Sequence, residues 1–533
     1  MVTAEDPRLT ARSLALLVSS GVLAPMRPDR LVGSVAALAR YRLTVATGYA
    51  AGAARHPDRP AVIDERGTLT YRQVHERSDR LARALADRGI GACSRVALLC
   101  RNHRGPVETM AACAKLGADV VLLNTGLSAE QLHAVLGEQR ADLVVVDEEF
   151  APALEAGYPT VLGWTDGHGN AADLEGLIDA GGGVALPVRP TLGRLIVLTS
   201  GTTGTPKGAR RPSPKGLGPA GAILSRIPLR AGEPVLLAAP LFHAWGFAGF
   251  QLAFLLGAPL VLHRRFDPGQ ALRAVGDHRV ATIMAVPVML QRILELPDAE
   301  LDAAATSTLR VVAVSGSALS AQLAGRFTDR FGPVLYNLYG STEVSWASIA
   351  TPLDMRTAPG TVGRPPLGTT LRIMGEDGRP VPDGEIGRIF VGNDMLFEGY
   401  TRSGTGTDVV NGLMGTGDLG MVDAHGLLHV TGRSDDMIVS GGENVHPGQV
   451  EELASQWPEV REAAVTGVDD PDFGQRLAAY LVLAPGGDLD ADTVRDRVRS
   501  RLARFAVPRD VHFVDELPRN ATGKVDNLRL RRP

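Results

Sequence analysis

Cysteine is scarce in this chain: 533 residues hold three, Cys93, Cys100 and Cys113. The number is odd and no pair has C-x-x-C spacing, so neither a disulfide framework nor a zinc site is supported. Buried free thiols in a reducing cytoplasm are the expectation. Aromatic residues make up only 5%. No uninterrupted apolar run reaches the roughly eighteen residues of a membrane-crossing helix, so no transmembrane segment is expected. An excess of positive charge is also missing. With 55 Lys and Arg against 59 Asp and Glu, net -4, the chain lacks the field expected of a nucleic-acid binder. Leu14-Ala-Leu-Leu-Val is apolar, but Glu5 and Asp6 precede it and no cleavage site follows. Residues 8–50 therefore read as a helical extension packed on the body, with a membrane-surface helix as the second reading.

What is present is a soluble globular composition, 44% hydrophobic and 21% charged. The length is too great for one ordinary core and predicts about two to four structural units. From Ala61 onward short apolar runs alternate with helical spacing. Ala61–Asp64, Leu69–Tyr71, Arg95–Leu99, Ala118–Leu123 and Asp142–Val146 read as strands. Tyr71–Asp87, Val107–Leu116 and Ala129–Arg140 read as helices between them. The pattern implies βαβ units and a parallel sheet. It resumes through Val235–Ala239, Leu260–Leu262, Thr282–Ala285 and Leu309–Val314, which predicts a second doubly wound sheet. Thr370–Met374 and Gly387–Val391 suggest a small β-rich subdomain. The last hundred or so residues read as a compact α+β domain. His103 and His133 stand alone in the sequence and read as surface polar residues.

One stretch organises the rest. The apolar run Leu195-Ile-Val-Leu enters Thr199-Ser-Gly-Thr-Thr-Gly-Thr-Pro-Lys-Gly208. Glycines free the backbone to present N–H groups, Ser and Thr add donors, and Lys207 adds positive charge, which is the chemistry that holds a polyphosphate. The order Pro206-Lys207-Gly208 does not fit a Walker A loop. A polar surface loop is the plain alternative. Elsewhere, Tyr339 beside Gly340 offers a stacking face, Thr342 a hydroxyl, and Glu343 a hard oxygen ligand for Mg²⁺. Asp418 in Gly415-Thr-Gly-Asp-Leu-Gly420 reads by itself as an Asx-turn residue. Glu451 and Glu452 read as the start of a helix, where carboxylates favour the N-terminus.

These motifs together resemble the adenylate-forming superfamily of AMP-binding enzymes, most nearly its fatty-acyl-CoA synthetases, over essentially residues 50–525. The resemblance implies an α/β fold: a large N-terminal domain of two doubly wound sheets plus a small β-rich subdomain, then a small mobile α+β C-terminal domain. The boundaries are a helical extension at 1–50, an adenylation domain at 51–434 and a C-terminal domain at 435–533. It implies that Thr199, Ser200, Gly201, Thr202, Thr203, Gly204 and Lys207 bind the ATP phosphates. Gly316, Ser317 and Ala318 would flank adenine, with Tyr339, Gly340 and Ser341 forming the stacking turn. Thr342 would contact the α-phosphate, Glu343 would bind Mg²⁺, Asp418 would accept from the ribose hydroxyls, and Arg433 would contact the nucleotide. Pro240-Leu-Phe-His-Ala-Trp-Gly246 is similar to the acyl-pocket motif, which places His243, Trp245 and Gly246 beside the acid, with the helix from Phe247 to Leu256 as one wall. Asp435 would be the hinge, and Ser440, Gly441, Gly442 and Glu443 would border a CoA tunnel. In Pro518-Arg-Asn-Ala-Thr-Gly-Lys-Val525, Lys524 would be the mobile cation between carboxylate and α-phosphate.

The activity so implied is ATP- and Mg²⁺-dependent formation of an acyl-adenylate from a carboxylic acid, with pyrophosphate release, then transfer to CoA. The chain departs from the family's pattern where a Lys is common in a Tyr-Lys-x-Pro string; here the string is Phe505-Ala-Val-Pro508. A Lys is also common in the loop occupied by Arg402-Ser-Gly-Thr-Gly-Thr407. Those changes keep a second reading open, in which a carrier-protein thiol or an amine takes the activated group, or nitrite is activated for diazotisation of an aryl amine. A nucleotide-binding protein without catalysis is a third, opposed by Lys207, Glu343, Asp418 and Lys524 occurring together. The acid and the oligomeric state, a homodimer included, are not set by these motifs.

Overall fold

The computed structural model describes residues 7–154, 157–167, 173–199, 207–210, 216, 218–400, 408–433, 438–440, 443–470 and 474–530. The chain divides into two compact units. The first holds residues 1–314, 342–345 and 393–406, and the second holds 315–341, 346–392 and 407–533.

In the first unit, the apolar runs form two sheets. One has the strand order Thr160–Trp164, Leu143–Asp147, Arg95–Leu99, Asp119–Leu122, Leu195–Thr199, Lys207–Arg210. All its pairs are parallel except the last. The other aligns Val311–Val314, Thr282–Ala285, Val235–Leu237, Leu260–Leu262 and Pro60–Asp64 in parallel, with Gly67–Thr70 antiparallel beyond them. Continuous β-branched runs make sense here, because helices cover both faces of such sheets and leave no solvated side. The helix Tyr71–Asp87 starts at a capping box: Thr70 accepts from the Gln73 N–H and Gln73 returns the bond. The N-terminal extension is three helices, α1 (Pro7–Ser19), α2 (Pro28–Tyr41) and α3 (Val45–Arg55).

The second unit carries the β-rich subdomain, an antiparallel sheet of Thr370–Met374, Gly387–Gly392 and Leu413–Val422, flanked by Val409–Val410 and Leu428–Arg433. Farther along, Val460–Asp470 and Gly474–Leu483 form a long antiparallel pair, and Asp510–Phe513 adds in parallel. Val450 and Ala454 from one helix and Val494 and Val498 from another share a core with Leu477, Leu481 and Ile438.

Three expectations are corrected. His103 is fully buried, not at the surface. Its Nδ1 accepts from the Gly105 N–H at 3.0 Å and its Nε2–H donates to buried Asp147 at 2.8 Å. Paired polar groups of this kind are tolerated inside, and a lone His in the sequence could not reveal its partner 44 residues away. Cys93 is exposed while Cys100 and Cys113 are buried. Glu451 and Glu452 lie inside the helix Pro447–Ser455, which begins at a proline four residues earlier.

Candidate active site

Three of the motifs follow the carboxyl ends of parallel strands, where open α/β sheets place their ligand crevices. Leu195–Thr199 leads to the Ser/Thr/Gly loop, Val235–Leu237 to Pro240–Gly246, and Val311–Val314 to Gly316, Ser317 and Ala318. The antiparallel pairing sets Thr199 opposite Lys207. Ser200, Gly201, Thr202, Thr203 and Gly204 lie outside the described residues, and Thr199 and Lys207 are described by their backbone. Gly441 and Gly442 also lie outside, between the paired positions Ser440 and Glu443, as does Asp435.

In the first unit, His243 is half-buried and caps the helix Ala244–Leu255. Trp245 is buried and its indole N–H donates to the Ala285 carbonyl at 2.9 Å. Gly246 permits the tight approach behind it: a Cβ there would lie 2.0 Å from the Pro240 carbonyl oxygen. The helix is apolar at every position but Gln251. Phe250 is fully buried, and Phe247 and Phe254 pack against it. Asn102, which the sequence reading passed over, fixes this loop. Its buried amide donates to the carbonyls of Leu237 and Ala239 at 3.0 and 2.9 Å and accepts from the Leu241 N–H at 2.7 Å.

Thr342 and Glu343 also belong to the first unit, and both are half-buried. The Glu343 carbonyl accepts from the Phe397 N–H at 2.8 Å, and its carboxylate accepts from the Tyr400 hydroxyl at 2.8 Å. Ser345 just beyond holds φ +62°, a costly conformation for a non-glycine, secured by its hydroxyl bond to the Met395 carbonyl. A carboxylate anchored in this way suits an ion that retains waters and phosphate ligands, as Mg²⁺ does.

In the second unit, Tyr339 ends the strand Leu335–Tyr339 and sits in one cluster with Thr416, Asp418 and Arg433. Its hydroxyl donates to Asp418 Oδ2 at 2.5 Å and lies 3.2 Å from Thr416 Oγ1. Asp418 pairs in register with Arg433 on the neighbouring strand, and Oδ1 stands 4.0 Å from the guanidinium. Burial, reinforced by the Asp418 charge, pushes the Tyr339 phenol well above its ordinary value and keeps the proton on it. This cluster offers an aromatic ring, a carboxylate acceptor and a cation. Gly340 and Ser341 are half-buried beside it in sequence, while Gly316 and Ser317 are half-buried and Ala318 is exposed.

Lys524 is exposed on a turn whose backbone is tightly held. Asn520 Oδ1 accepts from the Thr522 N–H, the Thr522 hydroxyl and the Lys524 N–H. The Lys524 carbonyl accepts from the Asn520 N–H at 2.9 Å. Gly523 supplies the φ of +84° that closes the turn. Arg519 bridges the Gly523 carbonyl to the Glu462 carboxylate. The motif's Arg, Asn and Gly thus build the platform, a role that side-chain type alone did not disclose.

Among the described residues, the group of possible metal ligands is Cys100, His103 and Asp147, all buried. The Arg101 N–H and His103 already occupy the Asp147 oxygens, which explains the cluster as internal structure.

The chain belongs to the AMP-binding enzyme family. That family's model matches residues 49–401, and the model of the AMP-binding enzyme C-terminal domain matches residues 449–524. The fold is accordingly a large N-terminal α/β domain with several sheets and a small C-terminal domain. The chain is similar to a feruloyl-CoA synthase of Amycolatopsis sp, 36% identical over 483 residues, covering 89% of this chain and 96% of the relative. Its structure is similar to o-succinylbenzoate CoA synthetase from Bacillus subtilis in complex with an acyl-adenylate intermediate. The identity is 28%, the TM-score 0.78, and the match covers 91% of this chain and 98% of the other. It is also similar to an amide bond synthetase from Marinactinospora thermotolerans, with 27% identity, TM-score 0.79, and coverage of 93% and 99%.

Proposed function

We propose that this protein is an AMP-forming acid–CoA ligase. The observation that carries the proposal is the cluster of Tyr339, Asp418 and Arg433, which provides stacking, ribose-accepting and cationic groups together. Family membership supports ATP and Mg²⁺ as its partners, with CoA as co-substrate.

The chemical difficulty is that a carboxylate must attack an already charged α-phosphate. Asp418 accepts the ribose hydroxyls, Tyr339 backs the adenine, and Gly316, Ser317 and Ala318 flank it. Gly340 and Ser341 complete the stacking turn. Lys207, the Thr199–Gly204 loop and Thr342 hold the phosphates. Glu343 would hold Mg²⁺, which supplies charge neutralisation on the phosphates when bound. His243, Trp245 and Gly246 line the path of the acid. Lys524 brings its ammonium to the attacking oxygen and the α-phosphate, so alignment and charge stabilisation act together. The carboxylate oxygen bonds to phosphorus and pyrophosphate leaves. A thiolate then attacks the acyl carbon and AMP leaves. Asp435 serves as the pivot between adenylation domain 51–434 and C-terminal domain 435–533, and Ser440 to Glu443 border the thiol's path. The protein works in the cytoplasm; a homodimer is compatible with this chemistry and is read by sedimentation analysis.

The second reading passes the adenylate to an amine or another non-CoA nucleophile. Two observations favour it. One is the similarity to an amide bond synthetase. The other is Ala506, 2% exposed in the C-terminal core, at the place where the family commonly has a Lys. Mass spectrometry of reactions with ATP, Mg²⁺ and a panel of acids, with and without CoA or amines, decides. CoA thioesters support the ligase. AMP and pyrophosphate with amide and no thioester support the second reading, and no pyrophosphate release under any condition overturns both.

A further inference from the structure

Of the seventeen exposed large hydrophobic residues in the described chain, nine lie between Leu9 and Leu43. Their arrangement inverts the usual helix. On α2 the positions turned inward are Gly33, Ala37 and Tyr41; a Cβ at Gly33 would lie 2.7 Å from the Ala54 side chain of α3. The opposite face holds Leu31, Val35 and Leu38, spaced i, i+4, i+7, at 48%, 56% and 44% exposure, with Val32 beside them at 69%. On α1, Ser13 and Leu17 face inward, and Ser13 meets Gly221; Leu14 and Val18 are exposed. At the end of α2, Arg40 donates to the Pro187 carbonyl, which brings exposed Val188 alongside.

The segment that carries this apolar face is also basic, with Arg8, Arg12, Arg27 and Arg42 exposed and Arg30 and Arg40 half-buried. Residues 7–43 hold Arg8, Arg12, Arg27, Arg30, Arg40 and Arg42 against a single acid, Asp29, so the segment is +5 in a chain that totals -4. Glu5 and Asp6 lower the count to +3 over the first 43 residues. We propose that the outward face of α1 and α2 docks on an anionic lipid bilayer, lying in the interface with Leu and Val inserted and the exposed Arg8, Arg12, Arg27 and Arg42 at the headgroups. Both halves of the recognition are on the helices: exposed aliphatic area for the acyl boundary and cations for lipid phosphates. A second copy of the chain is a poorer occupant, because a two-fold contact through this face would oppose arginines to arginines.

Co-sedimentation of the full-length protein with vesicles tests this. One set is phosphatidylcholine with phosphatidylglycerol, the other phosphatidylcholine alone. The protein is expected to pellet with the anionic vesicles and to be released by salt. Leu31→Ser with Val35→Ser is expected to weaken binding by about tenfold or more, since the inserted area is lost. Arg27→Gln with Arg42→Gln should weaken it by roughly fivefold per charge removed. ATP–pyrophosphate exchange in solution and the melting temperature should be unchanged in both variants. Absence of binding to anionic vesicles, or equal binding by the variants, overturns the proposal. So does a concentration-dependent dimer that Leu31→Ser with Val35→Ser abolishes, which would assign the face to a second copy.

Discussion

Two short segments present the charged groups on which the proposed chemistry turns, and they differ in burial. Around Glu343, both backbone and carboxylate are held, by Phe397 and Tyr400 respectively. Around Lys524 the backbone is held by Asn520, and the residue is exposed where Glu343 is half-buried. A metal ligand benefits from a fixed oxygen, because its orientation is set before the ion arrives. A cation that serves one half-reaction and then withdraws needs a rigid platform and a long side chain.

The strongest way to break this contrast is Lys524→Ala. Adenylation should fall by about 10²–10³-fold, the size of one lost transition-state donor. Thioester formation from supplied acyl-adenylate should be largely spared. Equal losses in the two half-reactions would remove the distinction between a mobile cation and a fixed site. Tyr400→Phe comes next. Freeing the Glu343 carboxylate should raise the Mg²⁺ needed for half-maximal pyrophosphate exchange by about tenfold, with most activity restored at saturating Mg²⁺. An unchanged Mg²⁺ titration would show that the fixed oxygen is unimportant. Asn520→Ala loosens the platform but keeps the ammonium. Exchange should fall by only about three- to tenfold, with a stability loss of about 1–2 kcal/mol from the unpaired turn groups. A loss as large as that of Lys524→Ala would mean that the platform, not the cation, limits the reaction.

The smallest effect provides a control away from both segments. Hydrogen bonds from Arg101, opposed by burial and joined by those from Arg265, hold Glu149 at about 2, well below the usual carboxylate range. Because this carboxyl binds its proton less readily in the folded chain, its stabilisation is present above the ordinary value and is lost as pH falls towards about 2. Glu149→Gln should therefore cost about 1 kcal/mol at neutral pH. Its melting temperature should converge with that of the parent protein in strong acid, with adenylation intact. A difference that persists undiminished in acid would assign Glu149 a role other than charge pairing.

Much of the architecture was legible because it rests on local patterns. Parallel strands buried on both faces must be continuous apolar runs, so Arg95–Leu99 and Thr282–Ala285 could be read residue by residue. Tyr71–Asp87 was readable from its helical spacing, and the structure adds the capping box at Thr70. The candidate chemical groups were proposed on another basis: residue type suggested stacking for Tyr339 and metal ligation for Glu343, whereas the ribose role of Asp418 and the cationic role of Lys524 came from the resemblance of their motifs to the family's. What supports those groups was not legible. Asn102 reaches 135 to 139 residues ahead to hold Leu237, Ala239 and Leu241. Tyr400 reaches back 57 residues to Glu343. His103 is satisfied by Asp147 rather than by water.

The sequence by itself determined where strands and helices lie along the chain and which side chains are candidates for the chemistry, because periodicity, capping and loop chemistry act over a few neighbouring residues. Only the tertiary structure decided which polar groups complete one another, since a hydrogen bond depends on distance in space. It also decided that α2 turns Gly33 and Ala37 inward and its Leu and Val outward. Composition and periodicity mark a helix as amphipathic; which face meets the body depends on the close approach of α3, and small residues were what that approach allowed.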